Sequence, residues 1–342
     1  MAQLAPQRPL SIAEAVKALE PGRAKFRRPT PVRPPTKTIP VHVFGRKRVE
    51  PVPTEPVTPS IPPDAPVSVV PKRSRAATRG PVAAELRSSG VDPGIVFWGE
   101  SRKTFADRSY PWCAIGRVDT PVGFGTGCLV GPRHLLTASH VIKWLPDNRA
   151  GHVQFRPGFN RDLADGDSKE ACADVFATSV TTFRKIDVGF PPAIEYGQVS
   201  ADMALCILDR RIGDELGWLG TRMYDDDWDD EALWQNVGYP SCEFKSPGCI
   251  GDGMRPMYDF GAPFKALQSE DYGLGTIIRC EGDMTPGHSG GPVFAFWPEG
   301  PYSIGVYSSS GTIEDISDDQ GNFLAGGKLL VQLVRKMRND FP

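Results

Sequence analysis

The stretch Gly282–Phe294, GDMTPGHSGGPVF, sets one serine among glycines directly before an apolar run. Ser289 follows Gly287 by two positions and is followed by Gly290 and Gly291. Glycine costs conformational order unless the backbone path requires it. One chemistry requires such a path. A serine nucleophile needs backbone N–H groups aimed at the oxygen that becomes negative during acyl transfer. A plain turn of small residues is the competing reading of this stretch. Two other stretches bear on the choice. In GCLVGPRHLLTASHVI, His140 ends the run Leu135–Ser139, next to the small residues Ala138 and Ser139. In SADMALCILDR, Asp202 stands immediately before the strand-like Met203–Leu208. An aspartate entering an apolar strand is costly unless it is hydrogen-bonded. Taken singly, a packed histidine and a strand-initiating aspartate are the simpler readings.

The elements that would carry these residues read as β-strands. From about residue 109, short apolar or alternating segments recur between Gly, Pro, Asn and Asp: WCAIGRV, GTGCLVG, HLLTASH, HVQFRP, MALCILD, WQNVGYP, GTIIRC, GPVFAFW and YSIGVYSS. That rhythm predicts an all-β sandwich or barrel rather than alternating βα units. The chain end differs. KLLVQLVRKMRN places Leu329, Leu330, Leu333, Val334 and Met337 at helical spacing with cations late, which predicts a helix over 328–339.

The first 95 residues have another character. They hold 18 of the 34 prolines, and 16 Lys/Arg against 7 Asp/Glu. That surplus of nine cations, in a chain of net charge −2, leaves −11 on residues 96–342. A basic head is joined to an acidic body. Runs such as RRPTPVRPPTKTIP lack the N–H donors that helices and central strands need, so residues 1–95 read as mostly disordered or polyproline-like. One short helix is expected at Ile12–Leu19, capped by Ser11 with Glu14 three residues on.

Together, His140, Asp202 and Ser289 fall in the order His, Asp, Ser, which is the triad order found with β-barrels. LLTASHV, DMALCIL and TPGHSGGPVF resemble the three motifs of the chymotrypsin-like serine proteases. DRSYPWCAIGRV and VGYP resemble the glutamyl-endopeptidase, staphylococcal V8-type branch. The resemblance spans roughly residues 107–337. It implies two packed six-stranded antiparallel β-barrels, about 107–210 and 233–327, with the site in the cleft between them. It also implies a serine endopeptidase acting on polypeptides, with no metal and no organic cofactor. Ser289 would be the nucleophile and His140 the base and then the acid. Asp202 would orient the imidazole, and the N–H groups of Gly287 and Ser289 would form the oxyanion hole.

The sequence departs from the family in three places. His288 stands where chymotrypsin-like enzymes usually carry the aspartate that receives a new N-terminus. Val141 replaces one half of the disulfide beside the catalytic histidine, leaving Cys128 unmatched. In IGVYSSS, Tyr307 replaces the histidine of glutamyl-specific relatives, which removes the cation that would receive a glutamate. Asp283, six residues before Ser289, matches the pocket position that favours basic side chains, or else caps a loop. His288 is the other candidate for lining the pocket.

Other signals weigh less. The seven cysteines include no C-x-x-C pair, and a Cys242–Cys249 loop closure stays open. YDDDWDDE and DISDDQGN match no EF-hand spacing, and the first reads as a solvated acidic loop. Arg28-x-x-Pro31-x-x-Pro34 is compatible with an SH3-type partner. GRKR and PKRSR fit processing sites, import signals or solubilising charge. Apart from Phe26, between Lys25 and Arg27, no aromatic residue interleaves with the basic ones, and the body is acidic, so nucleic acid is not expected as a partner. No apolar segment is long enough to span a membrane and no secretory segment is visible, so the expectation is a cytoplasmic or unconventionally secreted protein. The head could be a propeptide, cut near Lys47-Arg48, near Lys72-Arg73 or close to residue 96. Two rival functions stand beside the protease. One is a catalytically silent binding protein whose proline-rich arm recruits partners. The other is an esterase using the same triad.

Overall fold

The computed structural model describes residues 8–19, 38–44, 55–72, 95–97, 100–161, 175–187, 194–241, 253–260, 263–273, 275–313 and 317–342. Two closed barrels form the body. The first uses β1 (Ile115–Thr120), β2 (Gly123–Gly131), β3 (His134–Thr137), β4 (Gln154–Pro157), β5 (Val175–Thr182) and β6 (Ala204–Leu208). They pair antiparallel in the order β1–β2–β3–β6–β5–β4 and back to β1. The second uses β7 (Ala232–Gly238), β8 (Phe264–Tyr272), β9 (Gly275–Cys280), β10 (Pro292–Trp297), β11 (Gly300–Ile313) and β12 (Ser317–Gly326). Its order is β7–β10–β11–β12–β9–β8 and back to β7. Closure gives each of these strands a neighbour on both sides, which limits open sheet edges. The all-β architecture read from the strand rhythm is therefore the one formed.

Each barrel is filled by its own side chains. Val118, Leu129, Leu136, Phe155, Val180 and Leu205 are buried in the first. Trp234, Ile278, Val293, Ala295, Ile304 and Leu324 fill the second. Trp112 bridges the two, with its ring 5.5 Å from that of Tyr258 and 5.9 Å from that of Phe294. The C-terminal helix runs Lys328–Asp340 and buries Leu329, Leu330, Val331, Leu333, Val334 and Met337. It starts after Gly327 at φ 76°, where a Cβ would lie 2.1 Å from Thr276 Oγ1. No helix among the described residues is long and apolar enough to cross a membrane.

Three segments of the head, residues 8–19, 38–44 and 55–72, are docked on the body; the helix in the first was expected, the strand and the extended run in the other two were not. The helix Ile12–Leu19 forms where the capping signal predicts it, with Ser11 N–H donating to Glu14 Oε2 at 2.8 Å. It buries Ala15 and Leu19, and Leu10 pairs with Phe296 of β10. The strand Thr38–Val43 explains itself by alternation, because Ile39 and Val41 share one face and are 2% and 6% exposed. It pairs Thr38–Pro40 antiparallel with Arg149–Gly151, then Val41–Val43 parallel with β5. The change of partner falls directly after Pro40, where a ladder donor is missing. Residues 55–72 then run along Trp218–Thr221, which follow the first barrel, past the C-terminal helix and on to Tyr110. Val57 and Ser60 bond Thr221 and Trp218, Arg338 donates to the Thr58 carbonyl at 3.1 Å, and Val69 is fully buried. The Arg28–Pro34 motif, GRKR, and Arg73 to Arg75 of PKRSR lie outside the described residues. So do Cys172, Cys242 and Cys249. The cysteines that are described, Cys113, Cys128, Cys206 and Cys280, are buried, and the Cys113 thiol lies 3.3 Å from the Leu216 carbonyl.

Candidate active site

His140 lies in a single 3₁₀ turn, Ser139–Val141, that ends β3. Asp202 precedes β6, the strand paired with β3, so adjacent strands bring the two together. Asp202 is fully buried and each of its oxygens is satisfied. His140 N–H donates to Oδ1 at 2.9 Å, and His140 Nδ1 lies 2.6 Å from Oδ2. The Ser308 hydroxyl donates to Oδ2 at 2.6 Å. The buried carboxylate that looked costly in the sequence thus has three donors. It also fixes the imidazole twice, through backbone and ring. With Nδ1 as donor, Nε2 is left as the basic nitrogen.

Ser289 lies on the turn between Gly282 and β10 and is half-buried. Its carbonyl accepts the Thr126 N–H of β2 at 2.8 Å, and the Thr126 hydroxyl donates to the Gly287 carbonyl at 2.6 Å. A strand of the first barrel therefore holds the serine turn of the second. Gly290, at φ 81°, packs so tightly on β3 that a Cβ would lie 2.2 Å from Thr137 Oγ1. Ser289 O and the Val141 side chain would both stand 2.8 Å from a Cβ on Gly125, so the serine turn and the histidine turn flank one glycine. Ser289 Oγ and His140 Nε2 are not hydrogen-bonded. In substrate-free enzymes this contact is often open and tightens when substrate arrives.

Gly287 has φ 96°, and a Cβ there would lie 2.2 Å from the Tyr239 carbonyl. The amides along the turn alternate in use. Those of His288, Gly290 and Gly291 donate to Thr285, Tyr307 and His288 carbonyls. Those of Gly287 and Ser289 find no acceptor among the described residues. The glycine pattern of the sequence has a backbone cause at both positive-φ positions.

The three pocket candidates sit elsewhere than an open pocket. His288 is 1% exposed and stacked under Gly238, and its Nδ1 accepts the Thr285 N–H at 3.2 Å. Burial, with the Arg102 cation nearby, holds that ring neutral, well below the usual histidine range. Tyr307 is 1% exposed, and its ring belongs to the core of the second barrel. Asp283 is 4% exposed, with Oδ1 accepting the Phe97 N–H at 2.7 Å and Oδ2 lying 3.2 Å from Ser101 Oγ. A carboxylate so engaged is not free to receive a basic substrate side chain. Ser308 is the site residue that sequence reasoning missed. Nothing in the run Ser308–Ser310 distinguishes the one serine that meets Asp202.

Burial raises the Asp283 carboxyl to about 6, with Asp259 and Glu100 also raising it and the Phe97 N–H and Arg102 opposing. The Ser101 hydroxyl has one proton to share between the Asp259 and Asp283 carboxylates, which favours the protonated form of Asp283. An unfolded aspartate titrates near about 3.9. The stability carried by this group is therefore complete below that value and lost as pH rises through about 6. Asp283→Asn mimics the protonated form. Relative to the parent it is expected to gain up to about 3 kcal/mol between pH 4 and pH 7.5, read from urea midpoints. A difference that does not change with pH would contradict the assignment.

The fold is that of the chymotrypsin-like serine proteases. A solved Glu endopeptidase in complex with MPD aligns at a TM-score of 0.51 and 17% identity over 72% of this chain and 100% of its own. Two further structures align at a TM-score of 0.43, a level that carries no weight. They are the thermostable serine protease AL20 from an extremophilic microorganism (15% identity, 67% of this chain, 96% of its own) and the protease Anisep from Arthrobacter nicotinovorans (16%, 68% and 98%). No protein-family model and no curated protein matches the sequence.

Proposed function

We propose that the chain is a serine endopeptidase that hydrolyses peptide bonds through an acyl-enzyme on Ser289. The observation that carries this reading is the double clamp of Asp202 on His140. A histidine that only packs at a strand end has no need of a buried carboxylate on both its amide and its ring. In the reaction, His140 Nε2 takes the Ser289 proton as Oγ attacks the carbonyl carbon. The imidazolium so formed is stabilised by Asp202 and then protonates the leaving amine. The N–H groups of Gly287 and Ser289 receive the oxyanion, a role supported by their lack of another acceptor among the described residues. Water then enters with His140 again as base and releases the acid.

The substrate class is an unfolded or exposed polypeptide segment. The pocket candidates support neither a glutamyl nor a basic preference, since Tyr307 and Asp283 are both taken up inside the fold. The test is cleavage of an unfolded protein alongside a nitrophenyl ester. Peptide products together with a stoichiometric ester burst, both absent in Ser289→Ala, support the endopeptidase. A burst without peptide products would turn the reading to the esterase. A folded chain that does neither would leave the binding-protein reading in its place.

A further inference from the structure

The chain that enters the body is stitched to the loop leading into the Ser289 turn. The Ile95 N–H donates to Asn322 Oδ1 at 3.2 Å, and its carbonyl accepts Asn322 Nδ2 at 2.9 Å and the Met284 N–H at 3.1 Å. Asn322 Nδ2 also donates to the Gly282 carbonyl at 2.6 Å. The Phe97 amide and Ser101 meet Asp283. The last stitch is an ion pair. The Arg102 and Glu100 side chains are 1% and 3% exposed, and the pair is bidentate, with Nε to Oε1 at 2.8 Å and Nη2 to Oε2 at 2.6 Å. The remaining arm, Nη1, donates to Thr285 Oγ1 at 2.9 Å.

Thr285 is where that arm gains leverage. Its carbonyl accepts the His288 N–H at 3.0 Å and its own N–H donates to the His288 ring at 3.2 Å. Thr285 and His288 thus close the turn that contains Gly287 and ends at Ser289. Arg102 is itself held rigidly, because Arg102–Thr104 pairs with Met257–Asp259, which pairs with β7. A buried ion pair is weak evidence for stability alone, since apolar residues of equal volume often replace one at no loss. Here the guanidinium fork is divided between a fixing partner and the nucleophile turn.

We propose that Arg102, fixed by Glu100, is a positioning residue for the serine turn. Through Thr285 Oγ1 it sets the Thr285–His288 turn so that the Gly287 and Ser289 amides face the oxyanion. The catalytic consequence rests on the acyl-transfer reading above; the conformational one does not. In this chain the residues before the first barrel strand therefore belong to the machinery of the site.

The test uses the full chain and the variants Thr285→Val, Arg102→Met and Arg102→Lys. Amide hydrogen exchange over Gly287–Gly291 reads the turn directly, and fluorophosphonate labelling reads its catalytic setting. Thr285→Val keeps the volume and loses the hydroxyl. It is expected to speed exchange of that turn and slow labelling by about 10- to 100-fold each, with exchange in the first barrel unchanged. Arg102→Met should match it, and Arg102→Lys should recover part, because one ammonium cannot reproduce the fork. If Arg102→Met fails to fold, Thr285→Val decides. Turn exchange within twofold of the parent in folded Thr285→Val overturns the inference. A parent chain that takes no label at all overturns the endopeptidase instead, and the exchange result still decides this one.

Discussion

Asp202→Asn is expected to lower kcat for peptide hydrolysis by about 10⁴ with little change in KM, as loss of the correct imidazole tautomer does in this class of site. The geometry gives the reason. Asp202 presents one oxygen to the His140 amide and the other to Nδ1 and Ser308. An asparagine has only one oxygen to offer. If that oxygen keeps the backbone N–H, its amide group faces Nδ1 and donates to it. The ring proton is then driven to Nε2, the nitrogen that must receive the Ser289 proton. The Ser308 hydroxyl can turn around and accept, so folding is expected to survive. Steady-state kinetics on a folded variant check this. A kcat within tenfold of the parent would mean that His140 is not the base, or that Asp202 does not set its tautomer.

Removal of residues 1–72 is expected to destabilise the body rather than release it. Ala15, Leu19, Ile39, Val41 and Val69 are buried against it, each from a docked segment of the head. Burying one aliphatic side chain contributes roughly 1.5–3 kcal/mol, an upper estimate because unfolded chains are already partly compact. Ordering the head costs entropy that offsets much of the sum. A net loss of about 3–5 kcal/mol corresponds to a melting temperature lower by about 10 °C in a body of this size. Loss of the strand Thr38–Val43 also uncovers the outer side of β5, whose residue Thr182 bonds the Met203 carbonyl beside Asp202. Activity should fall with stability. A propeptide predicts the opposite, namely a body that melts no lower and gains activity when the head is cut. Differential scanning calorimetry of the full chain beside residues 73–342 separates the two.

Much of the candidate site was legible because its chemistry fixes residue types at fixed places. Ser289 needs glycines at φ values that other residues avoid, and Gly287 and Gly290 have them. His140 and Asp202 were legible as a strand end and a strand start, and the pairing of β3 with β6 joins them. The expected helix at Ile12–Leu19 followed from one capping box. What stayed hidden depends on long-range packing. β8, FKALQSEDY, is polar and only partly buried, so alternation did not mark it as a barrel strand. The strand Thr38–Val43 was masked by Pro40, which proved tolerable only because the strand changes partner there. Asp283 and Tyr307 looked like pocket residues by position, but the Phe97 amide and the barrel core claim them. No local pattern records that Phe97, Ser101 and Arg102 return to Asp283 and Thr285 from almost two hundred residues away.

The most direct measurement is fluorophosphonate labelling of the full-length chain beside Ser289→Ala. The account predicts one label per chain, mapped by mass spectrometry to Ser289 and absent from the variant. A folded parent that takes no label, or a label that persists in Ser289→Ala, would contradict it.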